Sequence, residues 1–476
     1  MGEDTAICFH PALTGGIRQH PGEALVPPVS RGRAGERAQC HGIDHHVLVV
    51  LQASEAGLVD HARQIALSLD RNGEPGEVVG VGEQDPGLAE VDDDPHSRRR
   101  YRAGPGLHCR LVPDLTQRDS EEVAAALTRW LTTRSDDGFA GGSALEVFDV
   151  QAPSSNGFSN ETILCRTRPA GGATGPERRL VVRVAPTKHL LFMDAEFSTQ
   201  YRVMKALADG GSAVPLPPLG DYEEDPQYLG VPFFTMEHVE GKVPSDNIPY
   251  TIEGWVIEAT PEEQARMWWS GLDALAAVHR TEWRALGLDW LGMAGRGRPG
   301  IEQQMSYYRD FLDWAAKGLR VPVLESTWQW MVEHTPAEEG DVVLSWGDSR
   351  LGNIIWDDFE AAAVLDWEMA SLGQPEMDLG WYLYFNRQFA DPLGVPRPPG
   401  FGSHEETIER YSELLGRPMK DIFFYEVFSG FRFAVIMLRL SELLVDSEIL
   451  PMESDMGTNN IATQLLTTML ELDPPG

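Results

Sequence analysis

Three side chains stand out first by type and spacing. Asp348 and Asn353 are five residues apart, and Asp366 follows thirteen residues later, within Leu344-Ser-Trp-Gly-Asp-Ser-Arg-Leu-Gly-Asn-Ile-Ile-Trp356 and Ala363-Val-Leu-Asp-Trp-Glu368. Two carboxylates and an amide in this order are parts that phosphoryl transfer asks of a protein, because that reaction needs little covalent help. It needs an acceptor hydroxyl held in place and relieved of its proton, and a divalent metal bridging the phosphates. A carboxylate on a loop can take the proton, which points to Asp348 as the base. An amide oxygen and a second carboxylate are hard ligands of the kind magnesium prefers, which points to Asn353 and Asp366. A lone Asp-x4-Asn is an ordinary turn pattern. The ordered set is far less common: apolar strand, Gly-Asp, loop, Asn, apolar strand, turn, apolar strand, Asp-Trp-Glu.

Such groups need a scaffold, and the flanking pattern predicts one. Val342 to Trp367 reads as a hairpin-like segment, with Asp366 placed at a strand end by the apolar run Ala363 to Leu365. Beyond Gly241 the rest is mainly helical, with helices expected over Pro261 to His279, Ile301 to Ala316 and Phe423 to Leu444. Before it, Ala144 to Val150, Glu161 to Arg168, Arg179 to Val184 and Phe233 to His238 read as antiparallel strands, with a helix at about Met193 to Leu207 between the third and fourth. Ser120 to Arg134 reads as a further helix with Ser120 as its N-cap. The expected fold class is α+β and bilobal: a small antiparallel-sheet lobe over 111–241, a larger mainly helical lobe over 242–476, and a cleft between them.

Residues 1–110 differ in composition. They hold two aromatics, Phe9 and Tyr101, no Trp, no Lys, and eight of the thirteen His. A core is hard to build from that, so the stretch is expected to be a disordered extension or the product of a start codon placed too early. One part resists: Val47 to Leu51, Leu58 to Leu69 and Val78 to Val81 have the pattern of a lone βαβ unit, and a partner-binding role for it is the corresponding alternative. Cys40, His41, His45 and His46 lack the second Cys pair of a zinc site.

The segment 344–381 resembles the aminoglycoside phosphotransferase and choline kinase family, which shares the protein-kinase fold. It is most similar to the actinobacterial and acyl-CoA-dehydrogenase-associated branch, where Gly-Asp-x-Arg-x-Gly-Asn and Asp-Trp-Glu-Met-Ala-x-Leu-Gly recur. The resemblance covers about residues 140–440 and implies ATP (or GTP) and Mg²⁺ as cofactors. In Ser154-Ser-Asn-Gly-Phe-Ser-Asn-Glu-Thr162 it implies a nucleotide loop, with Ser155, Asn156 and Gly157 letting backbone N–H groups approach phosphates. In Phe233-Phe-Thr-Met-Glu-His-Val-Glu-Gly241 it implies the link between lobes, with the backbone of Glu237 and Val239 meeting adenine and Met236 behind it. Asp378 matches a family aspartate that braces the catalytic loop. Glu368 is expected near metal or substrate, and Arg350 is suited to an anionic acceptor.

Two positions depart from the family pattern. Kinase-like enzymes place a Lys on the third strand, but no lysine precedes Lys188, and the matching residue is Arg183. It keeps the charge but presents a planar fork to the phosphates. Its partner on the next helix is open: Glu196 is one candidate, a solvated Glu196 another, and the best-matching helix position holds Gln200. Trp346 replaces a frequent His, and an indole donates one hydrogen bond but accepts none. These departures motivate the alternative of a catalytically silent nucleotide-binding module. His279 reads as a packing or capping residue, and Arg432 and Arg439 as a solvated helix face, with a reach into the cleft as the alternative.

The net charge of −34 argues against general nucleic-acid or anionic-membrane binding, which needs clustered Lys and Arg. No stretch approaches the roughly 18 to 20 apolar residues of a membrane helix, so a cytoplasmic protein is expected. Cys8, Cys40, Cys109 and Cys165 are widely spaced and read as reduced thiols. The expected partner is a small-molecule substrate, aminoglycoside-like or hydroxyacyl.

Overall fold

The computed structural model of the chain describes residues 118–475, apart from 135–144, 152–159, 173–174, 187–189, 195, 247 and 338–339. The N-terminal extension with its βαβ-like stretch, and Ser155, Asn156 and Gly157, lie outside the described residues.

Helix α1 (Ser120–Thr133) begins on Asp119, whose carboxylate accepts from the N–H groups of Glu121 and Glu122, both at 2.9 Å. The expected cap, Ser120, is instead the first helical residue. A carboxylate satisfies two orphan N–H groups and adds charge at the positive helix end, which a hydroxyl does not.

Five antiparallel strands follow: β1 (Leu145–Gln151), β2 (Glu161–Pro169), β3 (Arg178–Val184), β4 (Leu219–Glu223) and β5 (Phe233–Glu237), in the order β1-β2-β3-β5-β4. Alternation on β3 separates two faces. Leu180, Val182 and Val184 are buried with Val123, Leu127 and Trp130 of α1, while Val181 joins the other core and Arg183 shares its face. Helix α2 (Ser198–Asp209) contributes Val203, Met204 and Leu207 to that second core, together with Phe234 and Met236 of β5.

The larger part is built from α3 (Pro261–His279), α4 (Ile301–Ala316), α5 (Pro322–His334), α6 (Pro375–Gln388), α7 (His404–Leu415), α8 (Ile422–Asp446) and α9 (Ile461–Leu470). The start of α3 follows from local chemistry. Thr260 and Glu263 form a reciprocal capping box, and Pro261 occupies the first turn, where its missing N–H costs nothing. Helix α6 lies against α8 and the strand β6 (Val343–Ser345), and nearly every one of its residues is buried. No described helix is long and apolar enough to cross a membrane.

Three more short strands complete the hairpin region: β7 (Ile354–Asp357), β8 (Glu360–Val364) and β9 (Ser371–Gly373). Their pairing is nested, β6 with β9 outside and β7 with β8 inside. The loop from β6 to β7 and the loop from β8 to β9 are therefore forced side by side. Asp358 and Phe359 turn the inner hairpin with φ of 46° and 64°, the positive values that a two-residue connection needs to match strand twist.

Candidate functional site

The nested loops carry the three residues singled out in the sequence. Asp348 and Asn353 lie on the first and Asp366 on the second, and Leu365 N–H donates to the Asn353 carbonyl at 2.8 Å to tie the loops together. Asp366 has φ of 58°, a left-handed conformation that an aspartate tolerates better than most residues. Gly347 just before Asp348 has φ of 91°, and a Cβ there would stand 2.1 Å from the Met369 carbonyl oxygen. Only glycine lets the two loops approach so closely.

Arg350 organises the first loop from within. Its Nε donates to Asp348 Oδ1 at 2.9 Å, Nη2 donates to Asn353 Oδ1 at 3.1 Å, and Nη1 donates to Asp246 Oδ2. The side chain is only 6% exposed, with Phe385 5.6 Å from the guanidinium carbon. Burial alone would depress its pKa, but the charges of Asp348, Asp246 and Asp366 outweigh that and raise it. The Arg350 fork, expected to suit an anionic acceptor, is turned inward here and taken up by Asp348, Asn353 and Asp246. Asp246, which no sequence signal marked, sits on the connection after β5. That connection docks on the hairpin by mutual hydrogen bonds of Lys242 and Trp356 at 2.9 and 2.8 Å. Burial raises the Asp246 pKa, and Arg350 opposes the rise.

Asp366 is half-buried, and its Oδ1 is shut off from solvent with no hydrogen-bond partner. Burial pushes its pKa up, the Arg183 charge draws it down, and Asp348 adds repulsion. Arg183 comes from the sheet; its Nη1 donates to Thr162 Oγ1 at 2.8 Å, the residue directly opposite it in the β2–β3 register. Glu196 is not its partner, since that carboxylate bonds Ser198 at 2.6 Å and Arg202 at 3.4 Å on an exposed surface. Of the carboxylates, it is Asp366 that feels the Arg183 charge. Gln200 is buried, with Nε2 unpartnered.

Glu368 Oε2 accepts from Asn160 Nδ2 at 2.8 Å, which ties the Asp-Trp-Glu turn to the strand leading out of residues 152–159. Glu237 pairs with Leu180 across the sheet and gives its N–H to the Pro218 carbonyl at 2.8 Å. Val239 follows two residues later in the link to the helical part, and Met236 is buried behind it.

Trp346 has a definite task. Its indole N–H donates to the carbonyls of Leu365 at 2.8 Å and Asp366 at 3.2 Å, so it holds the second loop directly. Trp346→Phe keeps the ring but leaves buried carbonyls unpaired. We expect a loss of about 1–3 kcal/mol of stability, read from urea unfolding, whereas an unchanged midpoint would assign the holding to packing alone.

Beneath the loops, Asp378 accepts from Ser345 Oγ at 2.9 Å, Trp346 N–H at 2.7 Å, Gly347 N–H at 2.9 Å and His279 Nε2 at 2.9 Å. His279 Nδ1 is in turn bonded to the Tyr411 hydroxyl at 2.5 Å. This agrees with His279 as a packing residue and Asp378 as the brace. Arg432, expected on a solvated face, is 2% exposed and donates from Nη2 to the Gly347 carbonyl at 2.8 Å. Its helix α8 runs through the core rather than along the surface, so both faces are covered. Arg439 pairs with Glu442 beside Trp314.

The same family connection emerges from comparison with known proteins. The APH phosphotransferase enzyme family matches residues 150–412. A 278-residue stretch is 31% identical to acyl-CoA dehydrogenase family member 10 of Mus musculus, covering 55% of this chain and 24% of that protein. For member 11 of Homo sapiens the identity is 29% over 291 residues, covering 57% and 35%. The matched regions thus span only a quarter to a third of these relatives. A provisionally named aminoglycoside phosphotransferase from Ralstonia eutropha JMP134 aligns with a TM-score of 0.53 at 26% identity, covering 73% of this chain and 95% of that one. With its small antiparallel sheet, its helical part and its paired carboxylate loops, the chain belongs to the APH phosphotransferase enzyme family and has the bilobal protein-kinase-like fold.

Proposed function

We propose that the protein is an ATP-dependent phosphotransferase that moves the γ-phosphate to a hydroxyl of a small molecule. The observation that carries this reading is the convergence of Asp348, Asn353 and Asp366 on two tied loops, with Arg183 reaching the same place from the sheet. Asp348 is the base, and Asn353 and Asp366 are the metal ligands. The donor set fits magnesium: the buried, unpartnered Oδ1 of Asp366 is a desolvated hard oxygen that a divalent cation would satisfy, and Asn353 Oδ1 keeps a second lone pair beside its bond to Arg350. When bound, Mg²⁺·ATP supplies the transferable phosphoryl group and the counter-charge for it. Arg183 lies where it would neutralise the phosphates. An adenine would meet the Glu237 carbonyl, since that residue's N–H is already given to Pro218, together with the backbone of Val239. Glu368 shapes the metal turn from its bond to Asn160, and Ser155, Asn156 and Gly157 remain the proposed phosphate loop.

The silent-module alternative drew on Arg183 and Trp346. Against it stands the indole N–H of Trp346, which holds the second loop in place of the missing His. The test is nucleotide consumption by the full chain with Mg²⁺, ATP or GTP, and aminoglycosides, macrolides, choline-like amines or hydroxyacyl-CoAs. Hydroxyacyl-CoA should raise turnover most. The absence of both nucleotide binding and acceptor-dependent consumption, with every one of these acceptors, would sink the reading. Arg183→Met should weaken ATP binding by about 10- to 100-fold, measured by calorimetry, as expected for loss of a charged hydrogen-bond donor. Unchanged affinity would remove Arg183 from the phosphate site.

A further inference from the structure

Asp348 presents two carboxylate oxygens, and they are not equivalent. Oδ1 accepts from Arg350 Nε at 2.9 Å and from Trp381 Nε1 at 2.8 Å. Among the described residues no hydrogen-bond donor reaches Oδ2. The Arg350 contact is local, two residues along the same loop. Trp381 comes from the second turn of α6, 33 residues away, and only the fold delivers its N–H to this oxygen.

Trp381 is itself held on several sides. It is 1% exposed, with Phe385 at 5.1 Å, Phe433 edge-on at 6.2 Å and the guanidinium carbon of Arg432 4.4 Å from its ring centre. Arg432 is an unusual residue to find there. It is buried among Trp381, Tyr308 and Phe428, and it makes one hydrogen bond, to the Gly347 carbonyl, while Nε and Nη1 have no partner. A buried guanidinium with two unpaired nitrogens is costly, even with aromatic faces to balance its charge. A methionine would fill the same space without that cost. What the arginine adds is a contact at both ends of one short chain: it stacks on the indole that bonds Asp348 and bonds the carbonyl of the residue before Asp348.

We propose that Trp381 and Arg432 are positioning residues for the base: Trp381 holds the Asp348 carboxylate by Oδ1 so that Oδ2 alone faces the acceptor, and Arg432 fixes Trp381 and the Gly347 peptide. This rests on Asp348 being the base. In the step it serves, the acceptor hydroxyl proton passes to Oδ2 as the hydroxyl oxygen bonds to phosphorus and the bond to the departing ADP breaks. A carboxylate free to rotate about its side-chain torsions would spend part of its time with neither oxygen in line, which is the loss that such holding prevents.

The test uses the full chain with Mg²⁺·ATP and water as acceptor. Trp381→Phe keeps an aromatic ring and removes the N–H. It should lower kcat by about 10- to 100-fold, the effect of one hydrogen bond to a charged group, with the KM for ATP little changed. Arg432→Met should lower kcat in the same way. In an Asp348→Asn background Trp381→Phe should have no further effect, because residues that act through one group are not additive. Independent losses that multiply would overturn the proposal, as would a normal kcat in Trp381→Phe while Asp348→Asn is impaired. If Asp348→Asn turns over normally, it is the proposed function that fails. A second measurement needs no turnover: in protein labelled with ¹⁵N-tryptophan, the indole resonance missing from Trp381→Phe should move upfield in Asp348→Ala. An unmoved resonance would show that the indole does not bond Asp348.

Discussion

Asp348→Asn should lower turnover by about 10²- to 10⁴-fold, the range over which a positioned general base contributes, while ATP affinity stays within about twofold. The separation follows from geometry. Asparagine retains an oxygen that can accept from Arg350 Nε and Trp381 Nε1, as Asp348 Oδ1 does at 2.9 and 2.8 Å, so the loop keeps its shape. The groups assigned to metal and phosphates, Asn353, Asp366 and Arg183, are left intact. What is lost is the basic oxygen, and the neutral amide cannot take a proton from the hydroxyl. Steady-state kinetics on the best acceptor, paired with calorimetric ATP titration, checks both halves. A variant with normal kcat but weakened ATP binding would reverse the roles given to these residues.

Asp378→Ala should cost about 3–5 kcal/mol of stability, because it strips four donors of a buried charged partner at once. Ser345 Oγ, the N–H groups of Trp346 and Gly347, and His279 Nε2 would be left facing a cavity. Thermal unfolding should show a fall on the order of 10 °C. Acid unfolding gives an independent reading. Burial by itself would raise the Asp378 pKa, but His279 and the Gly347 N–H outweigh it and hold the carboxyl below its ordinary value. A depressed native value means that the unfolded state binds the proton more readily. The stabilisation is thus fully present above the usual aspartate value of about 3.9 and is lost as pH falls through the native one. In Asp378→Asn that part of the acid dependence should vanish, flattening the stability curve below about pH 4. A variant that tracks the wild-type slope would show that Asp378 does not supply it.

Local signals accounted for much of the fold. The α3 boundaries, Pro261 and His279, matched because Thr260, Pro261 and Glu263 define the start with contacts only a few residues apart. Strand β4 went unnoticed: Leu219–Glu223 contains a glycine and acids, and its residues are half-buried at a sheet edge, so no alternation marks it. Helix α6 was missed for the opposite reason. Its run Pro375-Glu-Met-Asp-Leu-Gly-Trp-Tyr-Leu-Tyr-Phe-Asn-Arg-Gln388 is covered on every side, which removes the polar stripe that a periodic reading depends on.

The site divides in the same way. Asp348, Asn353 and Asp366 were legible because they sit within nineteen residues of chain in one nested hairpin, where spacing and strand pattern are enough to imply a common location. Arg350 was visible as a residue but not in its role, since Asp246, 104 residues away, is what shows that its fork turns inward. The surroundings of Arg183 were likewise a matter of distance in space: Glu196 is taken up by Ser198 and Arg202, while the arginine bonds Thr162 across the sheet and its charge acts on Asp366. By itself, then, the sequence determined the chemical parts of this protein and the order of its two lobes, because short strands, caps and motif spacing act within a few residues. Which oxygen of Asp348 stays free of hydrogen bonds, and which buried partners the arginines of this region find, only the tertiary structure decided, because Asp246, Trp381 and Arg432 reach the loop before β7 through packing that no local pattern encodes.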